Sequence, residues 1–380
     1  MQGAAPTYVK IKNQGKGLAP WRKITIQKVL VGKPKAPIRN KGYMKRFGNL
    51  YDKICDADNL YLAYSKARKG KGKSYGVKQF ESNLIENMQM IQDDLINGTY
   101  TISEYDVFTI TDPKERIIYR LPFRDRVVQH TIMNILEPIW ASVFISHTYS
   151  CIKGRGIHGA LKHIKRDLKD SENTSYCLKM DIRKFYPSID HEVMKLIVRK
   201  KIKDARLLNL LDDIINSAPG LPIGNYLSQF LANLYLSYFD HWLKEEKQVK
   251  YYYRYADDMV ILSDDKNYLH DLQIEIGKYL NDRLKLELKD NFQVFPVTAR
   301  GIDFVGYVFY HTHTRLRKRI KKKFCRRIAK LNKYKNITPK EYRIAICAWI
   351  GWTKYCNSLN LIKTVVKNEE VLRTWHKATG

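Results

Sequence analysis

Residues 251–262 read Tyr251-Tyr-Tyr-Arg-Tyr-Ala-Asp-Asp-Met-Val-Ile-Leu262. The runs Tyr251 to Tyr255 and Met259 to Leu262 suit pleated, half-buried strands, and Ala256-Asp257-Asp258 between them suits a tight turn. Such a hairpin thrusts two adjacent carboxylates out of an otherwise apolar sheet. Alone, an Asp pair in a turn is as compatible with a solvated loop. A second strand shifts the balance. In Tyr176-Cys-Leu-Lys-Met-Asp-Ile182, Leu178, Met180 and Ile182 alternate on one face and leave Lys179 and Asp181 on the other. Three carboxylates on neighbouring strands repel one another unless hard cations lie among them. Mg²⁺ takes oxygen ligands and leaves room for phosphate oxygens, so a two-metal site for phosphoryl chemistry is expected.

Charge supports a phosphate-bearing partner. Lys and Arg number 68 against 38 Asp and Glu, a formal net charge of +30. An excess of this size points to a polyanion. No acidic residue precedes Asp52 and none lies between Asp303 and Glu341. Basic ends around a nearly balanced middle suit an enzyme that grips a phosphate backbone and works on it. No apolar run has membrane-spanning length and the start lacks a secretory pattern, so a cytoplasmic location is expected, with no membrane partner. The six cysteines (Cys55, Cys151, Cys177, Cys325, Cys347, Cys356) form no C-x-x-C pair, and the histidines no H-E-x-x-H. Neither zinc nor a disulfide framework is expected.

Along the chain, residues 1–45 are basic and punctuated by Gly and Pro, as readily an arm that orders on RNA as a solvated tail. Helical periodicity from Gly48 to Asn97 breaks at Lys69-Gly-Lys-Gly-Lys73; the second helix carries Phe80, Leu84, Met88, Ile91 and Leu95. Phe108 to Pro122 reads as a hairpin turning at Asp112-Pro113, with Lys114, Arg116 and Arg120 on it and Arg124 and Arg126 after it. Strand-borne Arg can grip a triphosphate, or keep an exposed edge from aggregating. An apolar helix follows over Val127–Trp140. A basic glycine turn containing Arg155 then opens a helix over Gly159–Leu168.

Beyond Asp181, Tyr186 stands close enough to form a floor beneath a sugar, and a helix is expected over His191–Lys203. Pro219 to Gln229 turns into a helix with Leu227, Leu231, Leu234, Tyr238 and Trp242 on one stripe. Its polar start, Gly224 to Gln229, offers backbone N–H groups to a base, sugar or phosphate. A helix over Leu269–Leu284 leads to Lys289 and to a strand or hairpin over Gly301–Tyr310. The tail from Thr314 reads as a basic helix with Leu316, Ile320, Phe324, Ile328 and Leu331 on its apolar stripe. Trp349, Trp352, Tyr355 and Leu359 give a last helix its core.

In this order the motifs resemble reverse transcriptases. Tyr255-Ala-Asp-Asp258 is similar to the family's Y-x-D-D, and Asp181 with Tyr186 to its first-carboxylate motif, whose aromatic excludes a ribose 2′-OH. Leu221-Pro-Ile-Gly224 is similar to L-P-Q-G, and Lys289 and Gly301 to Tyr307 to later motifs. The resemblance covers about Tyr51 to the C-terminus. It implies an α+β right-hand polymerase with fingers, a ferredoxin-like antiparallel palm and a short helical thumb. The expected division is a basic extension at 1–45, N-terminal helices and fingers at 46–170, a palm at 171–310 and a thumb at 311–380.

It also implies catalytic Asp181, Asp257 and Asp258. These three and Ile182 would lie at two Mg²⁺ ions, with Mn²⁺ able to substitute. Nucleotide contacts would come from Lys114, Arg116, Tyr186, Ile223, Gly224, Ser228, Gln229 and Lys289, with Lys289 a candidate proton donor to pyrophosphate. Nucleic-acid contacts would come from Arg155, Arg315, Arg317, Lys318, Arg319 and Lys322. The partners implied are dNTPs, template RNA and the RNA–cDNA hybrid.

Within the family, Ile223-Gly-Asn-Tyr-Leu-Ser-Gln229 resembles the I/L/V-G-x-x-x-S-Q signature of diversity-generating retroelement reverse transcriptases. Those enzymes copy a template-repeat RNA with errors opposite adenine, the cDNA rewrites a variable repeat in a protein gene, and the encoding element is bacterial or phage-borne. A basic, pentameric helical-barrel accessory variability determinant is the implied partner. Ile223 stands where most relatives place a Gln that hydrogen-bonds near the incoming nucleotide. Losing one such bond is worth about 0.5–1.5 kcal/mol, a several-fold loss of discrimination. Another bacterial reverse transcriptase (from a group II intron, a retron or an antiphage system), a DNA-templated or template-free polymerase, and a basic RNA-binding protein with a structural Asp pair remain alternatives.

Overall fold

The structure, a computed structural model, describes residues 8–10, 27–29, 45–111, 114–334, 337–367 and 372. Most of the basic N-terminal extension and the turn residues Asp112 and Pro113 lie outside them. Cα packing divides the chain into two units, Met1–Val143 with Ile189–Tyr235, and Phe144–Ser188 with Leu236–Gly380.

The first unit is mainly helical. Strands β1 (Tyr8–Lys10) and β2 (Gln27–Val29) pair antiparallel. The helix Ala57–Arg68 starts where the Asp56 carboxylate accepts from the N–H groups of Asp58 and Asn59, satisfying donors a helix start leaves open. It packs on the helix Phe123–Ala141, whose Val128, Ile132, Leu136 and Trp140 are fully buried. The helix expected to run unbroken to Asn97 is instead two, Tyr75–Ser82 and Leu84–Asn97, because Asn83 (φ −128°, ψ 51°) leaves the helical region. Strands β3 (Asp106–Ile110) and β4 (Arg116–Arg120) form the expected hairpin, with Ile110 opposite Arg116. Helices His191–Arg199, Ala205–Asn216 and Tyr226–Tyr235 complete the unit; the first stops short of Lys203. The stripe expected to run on to Trp242 is interrupted at Leu236. Tyr238 falls in the short helix Ser237–His241 and Trp242 in a π turn, Trp242–Glu246.

The second unit is built on a five-stranded sheet: β5 (Thr148–Tyr149), β6 (Tyr176–Asp181), β7 (Tyr251–Tyr255), β8 (Asp258–Ser263) and β9 (Gln293–Pro296), in the order β5-β7-β8-β6-β9. The β6, β7, β8, β9 part has the strand order of a ferredoxin-like sheet and is antiparallel as expected; β5 adds a parallel pairing to β7. Alternation along the strands separates two cores. Cys177, Tyr253, Val260 and Phe295 lie in a cluster with Leu161 and Ile164 of the helix Ile157–Asp167, and the helix Lys266–Leu284 packs against β6, β8 and β9.

Strands β10 (Ile302–Phe304), β11 (Tyr307–Phe309) and β12 (Thr314–Leu316) form a second, antiparallel sheet. The β10–β11 turn needs Gly306: its φ is +90°, and a Cβ would come within 2.5 Å of the Trp352 ring. Thr314–Leu316, read as the start of the basic helix, is a strand because β11 offers it a ladder; the helix begins at Lys318 and runs to Leu331. Its Phe324, Ile328 and Leu331 pack with Tyr342, Ile346 and Ile362. The last helix divides likewise, into Pro339–Thr353 and Leu359–Val365, with Leu359 41% exposed rather than in the core.

Candidate active site

The hairpin of β7 and β8 turns through two residues, Ala256 and Asp257, with Tyr255 opposite Asp258. Ala256 has φ +53°, a conformation an L-residue with a Cβ adopts only under constraint. Asp258 opens β8 and its cross-strand partner is Asp181, the last residue of β6. Directly paired residues point to the same face, so register brings the carboxylate of one apolar strand onto that of another. Burial first, and then the neighbouring charge of Asp181, pushes the Asp257 carboxyl up to about 6. Burial also raises Asp258, against the lowering effect of Lys179.

Two lysines hold these carboxylates. Lys179, on the Asp181 face of β6, donates to Asp258 Oδ1 at 2.9 Å and Oδ2 at 3.3 Å, and also to the carbonyl of Asp303. Asp303 in turn accepts from Arg317 at the start of the basic helix. Lys289 donates from Nζ to Asp181 Oδ2, and its N–H donates to the Asp181 carbonyl at 2.9 Å. Ile182 bridges to Leu288, which delivers Lys289 to this position. The bridge uses the Asp181 carbonyl and the Arg183 N–H. The Ile182 carbonyl takes part in neither bond, while its side chain is fully buried.

Among the described residues, no three His, Cys, Asp or Glu side chains already form a metal cage; the carboxylates meet pairwise, each with a lysine beside the pair. The donor set nonetheless fits a hard cation. Asp181 Oδ1 is buried without a hydrogen-bond partner, and a divalent ion is the partner such an oxygen takes. Tyr186 lies in the turn after β6, its ring edge-on to the buried Phe185 at 5.6 Å between centroids.

The other expected site residues fall in several places. In the first unit, Lys114 and Arg116 are exposed, whereas Arg120 pairs with Asp106 and Arg124 with Asp94. The Ile223 carbonyl accepts from the Tyr119 N–H at 2.8 Å, fastening the turn to β4. Gly224, with φ +126°, has no room for a Cβ, which would stand 2.6 Å from the Tyr119 carbonyl oxygen. Two of the N–H groups expected to be open at the start of the next helix are capped: Gln129 Oε1 accepts from Tyr226 at 3.0 Å and Leu227 at 3.4 Å. Ser228 is buried and Gln229 exposed. In the second unit, Arg155 donates to the carbonyls of Phe144 and Ile145 at 3.3 and 2.7 Å and so closes a turn. Arg315 lies over the Tyr310 ring, and Lys318, Arg319 and Lys322 are exposed on the basic helix.

Sequence reasoning placed Lys179 on the right face without seeing its role, and missed Arg254 and Asp240. The available signal was a charged residue inside an aromatic strand.

A family model described as Reverse transcriptase (RNA-dependent DNA polymerase) matches residues 111–309, more than half of the chain. Protein YkfC of Escherichia coli (strain K12) is 26% identical over 276 residues, 60% of this chain and 72% of that protein. Group II intron-encoded protein LtrA of Lactococcus lactis subsp. cremoris is 27% identical over 218 residues, 53% of this chain and 36% of LtrA. Nuclear intron maturase 4, mitochondrial, of Arabidopsis thaliana is 27% identical over 164 residues, 40% of this chain and 20% of the maturase. The chain therefore spans most of the first relative and little more than a third, or less, of the other two. Among the described residues, no helix is long and apolar enough to cross a membrane.

Proposed function

Since the chain belongs to the reverse transcriptase family, whose members are RNA-directed DNA polymerases that generally use divalent metal ions, we propose that it copies a template-repeat RNA into adenine-mutagenised cDNA for diversification of a variable-repeat gene. The polymerase reading rests on one observation, the cross-strand pairing of Asp181 with Asp258 beside the turn that carries Asp257. The finer reading is supported by Ile223-Gly-Asn-Tyr-Leu-Ser-Gln229. The five-stranded sheet is the proposed palm, the β3–β4 hairpin part of the fingers and the helix Lys318–Leu331 part of the thumb.

Asp181, Asp257 and Asp258, with the Ile182 carbonyl, would hold two Mg²⁺ ions, or Mn²⁺ in their place. When bound, the ions supply Lewis-acid activation of a primer 3′-OH and charge neutralisation at the leaving pyrophosphate. Lys289, whose Nζ donates to Asp181, is the proposed proton donor to pyrophosphate. Lys179 gives the partly buried Asp258 carboxylate a counter-charge that opposes the upward push of burial. Tyr186 sets the sugar preference, so Tyr186→Ala should admit ribonucleotides at least roughly tenfold better. Lys114 and Arg116 are proposed triphosphate contacts, with Gly224, Ser228 and Gln229 shaping the nucleotide site and Ile223 supplying no hydrogen bond there. Arg315, Arg317, Lys318, Arg319 and Lys322 serve template and hybrid through phosphates, and the accessory barrel protein and a cytoplasmic location in a bacterial or phage-bearing cell complete the proposal.

The similarity to LtrA favours a second reading, an intron-type reverse transcriptase. Primer extension on the RNA encoded beside the gene, with and without the accessory protein, separates the two. Errors concentrated opposite template adenines support the first. Accurate copying of adenine under both conditions supports the second and overturns the first.

A further inference from the structure

The side chains of Arg254, in mid-β7, and Asp240, on the helix Ser237–His241, are both fully buried. Arg254 Nε donates to Asp240 Oδ1 at 2.7 Å and Nη2 to Oδ2 at 2.5 Å, a two-pronged pair. Two hydroxyls complete the carboxylate, Tyr252 on Oδ1 at 2.7 Å and Thr148 on Oδ2 at 2.9 Å. The third nitrogen, Nη1, donates to the carbonyl of Ala256 at 3.0 Å.

A wholly buried ion pair contributes little net stability compared with apolar side chains of the same volume. Its geometry here offers another reason for it. The Ala256 carbonyl belongs to the peptide that leads into Asp257, and Ala256 is held at φ +53°. We propose that Arg254 is a positioning residue: braced by Asp240, it fixes the Ala256–Asp257 peptide plane and so aims the Asp257 carboxylate beside Asp181. Tyr252 and Thr148 orient the brace. Helix Ser237–His241 and strand β5 thereby act on the turn without touching substrate.

The inference rests on the polymerase reading above, and its test separates the two. Arg254→Lys keeps the charge, but one ammonium cannot both fork onto Asp240 and reach the Ala256 carbonyl. Expected are a fall in kcat for dNTP incorporation of at least about tenfold, with KM for dNTP and affinity for primed RNA within about twofold. Amide hydrogen exchange at Ala256–Asp258 should quicken while β6 stays protected. Tyr252→Phe removes a single hydroxyl from the brace and guards against a misfolded lysine variant. It should quicken the same amides and lower kcat by a few-fold. Unchanged exchange at the turn in both variants, or a loss of protection spread evenly over the sheet, overturns the proposal. Exchange needs no turnover, so it still decides the positioning claim if the wild-type chain fails to extend a primer and the polymerase reading falls.

Discussion

Lys179 Nζ lies 2.9 Å from Asp258 Oδ1, on the strand face that also carries Asp181. A half-buried carboxylate opposite another carboxylate thus has its counter-charge built into the neighbouring strand. Without it, burial and the charge of Asp181 would push Asp258 further up. A hydrogen bond to a charged group is worth about 1.5–3 kcal/mol. Lys179→Met should therefore lower kcat by roughly ten- to a hundredfold, with affinity for primed RNA unchanged. Lys179→Arg should recover part of the loss. Steady-state kinetics with a filter-binding control checks this.

Burial, and then the neighbouring charge of Asp181, pushes the Asp257 carboxyl up from its usual 3.8 to about 6. Between those values the folded chain binds more protons than the unfolded one, so this group's contribution to stability is lost as pH rises through about 6. The shift corresponds to roughly 2 kcal/mol after allowance for solvent screening at a partly exposed carboxyl. In chelator at pH 7, Asp257→Asn should be more stable than wild type by about that amount, and the gap should close below about pH 4. Urea unfolding measures it. Mg²⁺ should restore wild-type stability at pH 7 and leave the Asn variant nearly unmoved.

Gly224 combines φ +126° with a neighbouring carbonyl only 2.6 Å from where a Cβ would stand. Strain of this kind costs about 1–3 kcal/mol. Gly224→Ala should lower Tm accordingly and disturb β4, whose Tyr119 supplies both that carbonyl and the N–H bonded to Ile223. A melt that matches wild type would contradict the fit.

The helix Lys318–Leu331 buries Phe324, Ile328 and Leu331 and leaves Lys318, Lys322 and Arg326 exposed. Phosphate contacts release counterions, so affinity for primed RNA should fall steeply with salt. Lys318→Gln and Lys322→Gln should each reduce the log–log salt slope by about 1. Affinities measured between low and physiological salt give the slope directly.

The β7–β8 hairpin was legible because alternation and a small acidic turn coincide between residues 251 and 262. Strand β6 was legible from the alternation of Leu178, Met180 and Ile182 with Lys179 and Asp181. Register was not: nothing in either strand alone states that Asp181 faces Asp258. Helix breaks at Asn83 and Leu236 escaped notice because the apolar period carries on across them. Thr314–Leu316 became a strand through pairing with β11, a tertiary partner that outweighs local helical pattern. Gln129 capping the Tyr226 helix, and Asp240 bracing Arg254, join residues far apart in sequence whose types fit many other roles.

Single-turnover incorporation of one dNTP onto a DNA primer annealed to RNA tests most directly whether Asp181 and Asp257 form one catalytic site. Asp181→Asn and Asp257→Asn should each slow the step by about a thousandfold or more, and the double variant should be scarcely slower than either, as expected of groups that act as a unit. Affinity for the primed RNA should stay within about twofold. Incorporation at near wild-type rates in either single variant would contradict the shared site.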